Sequence, residues 1–391
     1  MIPSTLNLEE AAWRLWDVLV VGAGPAGSLA AREIARRGLK VLLVDKASFP
    51  RWKVCGCCLN GRTQEILNDV GLKDLPSLHR GIPLHRLVLA SGQRLAKIGI
   101  QSGVALSREA LDSSLVEAAL EKGTAFLPQT RASLGRAAAE TQGVVLQNGD
   151  RSGEARARLV LVADGLGGRF FQGTTPPHTT IEKKSWIGAG VVAPIAADFY
   201  SFHTIFMACG SYGYVGLVRL EDGRLNIAAS FDPAFLKRCH HPGKAAEVIL
   251  QETLFPPPPG LGDLEWRGTP PLTRRLTPPA MHRVFVLGDA AGYIQPFTGE
   301  GISWALAAGQ AVTELALRAA RQWRPSLEKE WSDLYLRTVA DRQLLCRSLA
   351  MVLRHRTWAN VMITVLSRFP KMANPFLRRL NLSSPPSEGL L

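Results

Sequence analysis

Asp17-Val18-Leu19-Val20-Val21-Gly22-Ala23-Gly24-Pro25-Ala26-Gly27 opens the stretch that decides the fold, and Lys40-Val41-Leu42-Leu43-Val44-Asp45 closes it. The first apolar run reads as a strand buried on both faces. Between the runs, Leu29, Ala30, Glu33, Ile34 and Arg37 fit a helix that Gly38 stops. Gly22, Gly24 and Gly27 occupy the glycine positions of GxGxxG where strand turns into helix. The first glycine makes the tight turn, the second admits a pyrophosphate to the backbone, and the third lets helix and strand pack closely. Free amides and the helix dipole then attract the phosphates. Asp45 lies 18 residues after Gly27 at the end of the second strand, placed to accept hydrogen bonds from a ribose diol. Strand, helix, strand and acid together predict a dinucleotide-binding βαβ unit.

Working outward, Ser107 can cap a helix whose inner stripe is Leu111, Leu115, Val116, Ala119 and Leu120. Leu159–Ala163 and Val284–Leu287 are two more buried strands, each running into a Gly/Asp turn. The second of those turns is Gly288-Asp289-Ala290-Ala291-Gly292, followed by Pro296-Phe297-Thr298-Gly299-Glu300-Gly301-Ile302. Asp289 offers a second phosphate-ribose contact. The amides around Gly299 to Ile302 form a helix start suited to a flavin's electron-rich edge. Between these pieces, alternating patterns such as Arg224-Leu225-Asn226-Ile227-Ala228 predict antiparallel strands with one wet face. The fold expected is therefore α/β: a discontinuous Rossmann-type domain (15–80, 104–181 and 281–325) with an inserted β-rich substrate domain (81–103 and 182–280). Residues 326–391 are read as C-terminal helices to about 369, then a Pro/Ser tail.

The 391 residues carry 46 Lys+Arg against 33 Asp+Glu, a net +13. A surplus of that size suggests an acidic partner. No recognition element for nucleic acid accompanies it, so nucleic acid is not the expected partner. Eight Arg/Lys and one acid, Glu388, fall after residue 341, so much of the charge belongs to the C-terminal helices. There, Leu345, Leu349, Val352 and Leu353 form one helical stripe, and Trp358, Val361, Met362, Val365 and Leu366 a second. Two readings stand: packing over the substrate pocket or against the Rossmann-type domain, or peripheral association of 342–380 with an anionic membrane. With six cysteines, no apolar leader and no apolar run long enough to span a bilayer, a reducing cytoplasmic location is expected, at most peripheral at the membrane's inner face. Cys55, Cys57 and Cys58 lack a second ligand pair at metal spacing, so no metal site is expected.

These motifs resemble one family, the flavoproteins with the p-hydroxybenzoate hydroxylase fold. Its N-terminal GxGxxG, central DG and later GD appear in order as Gly22–Gly27, Asp164-Gly165 and Gly288-Asp289. Within that fold the chain is most similar to the geranylgeranyl reductase-like branch, whose FPRxKxCGxxL pattern stands at Phe49–Leu59. Ser107-Arg108-Glu109-Ala110-Leu111-Asp112 matches too. The resemblance implies FAD held by Ala26, Asp45, Arg108, Asp289, Gly301 and Ile302, with Ala132 adding an adenine contact. It places Cys55 and Gly56 beside the isoalloxazine ring and Asp164 on a loop that serves FAD and pyridine nucleotide. Relatives carry a Tyr/Trp-rich strand over the substrate; here it is Gly210-Ser211-Tyr212-Gly213-Tyr214-Val215-Gly216-Leu217-Val218, without tryptophan. Cys55 is a candidate catalytic residue, and Tyr212 and Tyr214 are candidate proton donors, or simply pack a strand face.

The expectation is an FAD-dependent oxidoreductase of a hydrophobic small molecule, transferring hydride from reduced flavin to a C=C bond of an isoprenoid- or polyketide-like substrate. The alternative is a flavin monooxygenase of an aromatic or polyketide substrate. A non-catalytic basic binding protein is the third reading. Only one dinucleotide fingerprint exists, so electrons come from transiently bound NAD(P)H or from a reductase or reduced carrier.

Overall fold

The computed structural model describes residues 1–381 except 175–177, 196, 296 and 298, without the side chains of 340–342, 344–345 and 380–381. Pro296 and Thr298 of the glycine-rich stretch, the side chains of Arg342 and Leu345, and the tail from 382 lie outside the described residues.

Leu15–Val21 forms the centre of a mixed sheet because it is apolar on both faces. Val18 pairs in parallel with Leu159 on one side and Val41 on the other. Ala125–Leu127 extends the sheet beyond Val41–Val44, and Val284–Val286 extends it beyond Arg151–Val162, all in parallel. Antiparallel strands Arg131–Ala137 and Gln142–Asn148 are added along the first half of Arg151–Val162. Helices Pro25–Ala35, Arg108–Leu120 and Gly301–Arg321 pack together beside this sheet. Ser107 caps the second of them by accepting from the Ala110 N–H at 3.1 Å.

A seven-stranded sheet runs in the order Arg267–Pro271, Ile187–Ala193, Leu225–Phe231, Gly213–Arg219, Thr204–Gly210, Arg86–Ser91 and Arg94–Gly99. Its pairs are antiparallel apart from Thr204–Gly210 with Arg86–Ser91. Alternation along each strand divides its side chains between two cores. Phe206, Ala208, Val215 and Leu217 pack with Phe235, Ile249 and Phe255, under the short helices after residue 232. Met207, Cys209 and Tyr214 face the other way, toward Leu353, Ala359 and Ile363 of the C-terminal helices.

Those helices are Ser326–Leu353, Arg356–Arg368 and Asn374–Asn381. The last lies where the sequence suggested a Pro/Ser tail. Its Pro375 falls in the first turn, where the missing N–H would have had no helical partner anyway. Among the described residues, no helix is long and apolar enough to cross a membrane.

Candidate functional site

One cavity of about 740 Å³ lies between the two sheets and under the C-terminal helices. Its polar end is made by the strand-to-helix turns. Gly22 adopts φ +100° with the Ala163 carbonyl 2.3 Å from where a Cβ would stand, and a Cβ on Gly27 would lie 1.9 Å from the Gly22 carbonyl oxygen. No side chain can occupy either position. Gly24 differs: a Cβ there would meet only the Arg51 guanidinium, at 3.6 Å, so its glycine keeps the cavity wall open. Asp45 accepts from the Ala23 N–H at 2.7 Å and the Ala47 N–H at 2.8 Å, which ties the second strand to the glycine turn.

Helices Pro25–Ala35 and Gly301–Arg321 both begin at this cavity, and among the described residues neither first turn has a side-chain cap. Two uncapped N-termini offer free N–H groups and positive dipole ends to an anionic, hydrogen-bond-accepting group. Arg51 Nε and Trp52 Nε1 are also buried without a protein partner among the described residues. A dinucleotide fits these features: open amides, a glycine-lined wall and unpartnered donors.

Arg108 lines the cavity and is held by Asp112 through two parallel bonds, Nε to Oδ1 at 2.9 Å and Nη2 to Oδ2 at 2.8 Å. Arg51 bridges Asp112 at 3.4 Å and Asp45 at 3.7 Å. Asp289 opens a short helical turn, 4.0 Å from Lys53 Nζ. Burial pushes the Asp289 carboxyl up and the Lys53 ammonium down, while each favours the other's charge. Asp164 accepts from the Phe170 N–H at 3.1 Å, and burial raises its carboxyl. A Cβ on Gly168 would collide with that carboxylate, 2.1 Å away.

Cys55 and Gly56 also line the cavity. Cys55 Sγ accepts from the Cys57 N–H at 3.4 Å. Hydrogen bonding from the Cys57 side chain, helped by the Arg108 charge, outweighs burial and lowers the Cys55 thiol to about 6. The Cys57 thiol is pushed up by its bond to Cys55 and by burial, and burial pushes Cys58 up to about 12. The Asn226 amide donates to the Cys55 carbonyl at 2.9 Å, anchoring this loop to the seven-stranded sheet.

Beyond Cys55 the lining turns apolar: Leu84, Leu89, Ile98, Ile205, Met207 and Leu217 from the sheet, with Leu349, Met362, Leu366 and Phe376 from the C-terminal helices. Tyr214 lies among them, edge-on to Phe297 at 5.1 Å, and burial raises its phenol. Alternation along the strand puts Tyr214 on this face, but Tyr212 is outside the cavity, exposed and stacked on Phe235 at 5.1 Å. Tyr212 is therefore no candidate donor. Ala132 sits opposite Leu146 in the first sheet and is not part of the cavity wall. Gly22, Gly24, Asp45, Gly56, Arg108, Asp164, Asp289, Gly299, Gly301 and Ile302 all border the cavity; Ala26 and Gly27 pack just behind it.

Sequence reasoning missed three cavity residues. Tyr293 packs against Gly301, where a Cβ would be 3.3 Å from its ring, and follows the glycine-aspartate turn by four residues. Its signal was an aromatic next to that motif. Trp52 and Arg267 form a cation-π pair, 5.2 Å from guanidinium to ring, across 215 residues of sequence. No local pattern announces such a pair.

The chain matches the FAD binding domain family over residues 16–319. It is 30% identical to a geranylgeranyl diphosphate reductase of Rhodobacter capsulatus, over 80% of this chain and 77% of that one. It is 27% identical to a digeranylgeranylglycerophospholipid reductase of Methanosarcina acetivorans, covering 81% and 78%. Conditioned medium factor receptor 1 of Dictyostelium discoideum is 27% identical over 78% of this chain, which spans 63% of that longer protein. Among solved structures, the flavin-dependent brominase Bmp2 superposes with a TM-score of 0.77 at 18% identity, covering 94% of each chain, a likeness of fold. The protein thus belongs to the FAD binding domain family of oxidoreductases, in its geranylgeranyl reductase-like branch, with the p-hydroxybenzoate hydroxylase fold.

Proposed function

We propose that this enzyme reduces a carbon-carbon double bond of a long apolar, isoprenoid-like molecule. The observation that carries the reading is that one cavity is lined both by the glycine turns and by a group of aliphatic side chains from the seven-stranded sheet and the C-terminal helices. The names of the reductase relatives support it.

FAD, when reduced, supplies a hydride. The glycine turn and the Pro25–Ala35 helix start would hold its pyrophosphate, Asp45 a ribose, and Asp289 a further phosphate-ribose contact. Arg108 and the Gly299–Ile302 amides would face its electron-rich ring system, beside Cys55 and Gly56. The apolar wall orients the substrate and excludes water, which protects a reactive hydride donor from side reactions. One carbon of the double bond takes the hydride and the other takes a proton, so the product gains two hydrogens. Tyr214 holds its proton through neutral pH because burial opposes the phenolate, and its place in the cavity wall supports it as the donor of that proton. Electrons reach the flavin from NAD(P)H or from a reduced carrier delivered by a reductase.

Anaerobic turnover of a polyprenyl substrate with chemically reduced enzyme tests this. The product should carry two added hydrogens, both of them deuterium in a deuterated medium, because the N–H hydrogen that reduced flavin delivers exchanges with solvent. Oxygen from O₂ in the product would replace this reading with a monooxygenase.

A further inference from the structure

We infer that the outer face of helix Arg356–Arg368, with the turn that follows it, docks onto an anionic membrane surface, and that the apolar cavity opens at that face. The second half of the inference rests on the apolar-substrate reading; the first does not.

The apolar residues of this helix divide into two adjoining arcs. Ala359 and Ile363 are buried against the seven-stranded sheet, and Met362 and Leu366 line the cavity. Trp358, Val361 and Val365 lie on the solvent side, 63%, 49% and 38% exposed, and Phe369 and Met372 continue the strip at 58% and 62%. Spacings of three and four keep those positions on one side of the helix axis. A soluble surface seldom leaves a tryptophan, a phenylalanine and a methionine together in water.

Charge identifies the partner. From 342 to 381 the sequence has eight Arg/Lys and no Asp or Glu. Arg347, Arg356, Arg368, Lys371, Arg378 and Arg379 are exposed in the same C-terminal segment. An apolar stripe with basic flanks suits the boundary of an anionic bilayer: the aromatic rings enter the headgroup region and the cations meet phosphate. A second copy of this chain would bring a like charge to the interface and is disfavoured.

Met372 connects the surface to the interior, since it is largely exposed and also borders the cavity, next to Ala373 and Phe376. The mouth beside Met372 therefore lies within the proposed contact area. An apolar chain could pass from bilayer to cavity there without crossing water.

Co-sedimentation of the flavin-loaded protein with vesicles tests the docking, without turnover. Wild type should pellet with phosphatidylcholine vesicles containing phosphatidylglycerol, much less with phosphatidylcholine alone, and release in high salt. Trp358→Glu/Phe369→Glu should weaken partitioning by about 100-fold, and Arg356→Glu/Arg368→Glu by about tenfold or more. Retained flavin absorbance shows that these surface variants fold. Wild type remaining in the supernatant, or variants that bind as well as wild type, would overturn the inference. So would a dimer in sedimentation velocity that the Trp358→Glu/Phe369→Glu variant dissolves. Double-bond reduction by a protein that ignores vesicles would leave the function standing and remove only the docking. Vesicle binding without any reduction would uphold the docking and remove the function.

Discussion

The two ends of the cavity are built on different principles. At the dinucleotide end the backbone forms the wall: Gly22 and Gly27 leave no room for a Cβ, Asp45 clamps two amides, and two helices begin uncapped. At the far end the wall is aliphatic side chains from the seven-stranded sheet and the C-terminal helices. Backbone sites depend on one residue type at one position. Side-chain walls depend on summed volume and polarity, which many residues can supply.

The largest effect to expect from this contrast is at Gly27. Valine there must displace the Gly22 carbonyl, so purified Gly27→Val should retain less than about a tenth of the wild-type flavin, if it folds at all. Gly24→Ala sharpens the point. Its Cβ meets only a guanidinium at ordinary contact distance, so the fold should keep its melting temperature while flavin affinity falls by about 10-fold to 100-fold. The 450 nm absorbance per protein and a thermal melt separate the outcomes. Equal losses at both positions would mean that Gly24 serves packing, not a ligand.

A smaller effect is expected at the aliphatic end. Met207→Trp adds bulk beside Gly216 in the cavity wall. Flavin content should stay unchanged while kcat/KM for a polyprenyl substrate drops by about tenfold. Loss of flavin in this variant would show that the two ends are not separable.

The same contrast explains what was legible in the sequence. The βαβ unit, the Ser107 cap and the glycine-aspartate turns could be read because each imposes a residue type at a fixed local spacing. Tyr214 and Tyr212 could not be told apart, since alternation says that they share a face but not that the chain turns before Gly213. The C-terminal stripe was visible as apolar, yet its division into cavity-facing Met362 and Leu366 and exposed Trp358 and Val365 depends on where the sheet lies. Ala132 was assigned by likeness alone; the structure pairs it with Leu146 in the first sheet, and it is not among the cavity's lining residues.

Cys55 lines the same cavity, and its titration reports on the groups around it. Its thiol is held down to about 6 by hydrogen bonding from Cys57 and by the Arg108 charge, against the opposing effect of burial. A thiolate stabilised in this way is present above that pH and is lost as pH falls through it. Alkylation of Cys55 by iodoacetamide, mapped by mass spectrometry, should therefore rise through pH about 6 and level off by neutrality. Cys57→Ala removes the largest stabilising contact and should move the midpoint up by about one unit. Arg108→Met should move it in the same direction, because loss of the cation disfavours the anion. The two variants differ in a second readout: Arg108→Met should also lose flavin, whereas Cys57→Ala should keep it. A wild-type midpoint near the ordinary thiol value of about 8.5 would show that burial prevails over both partners.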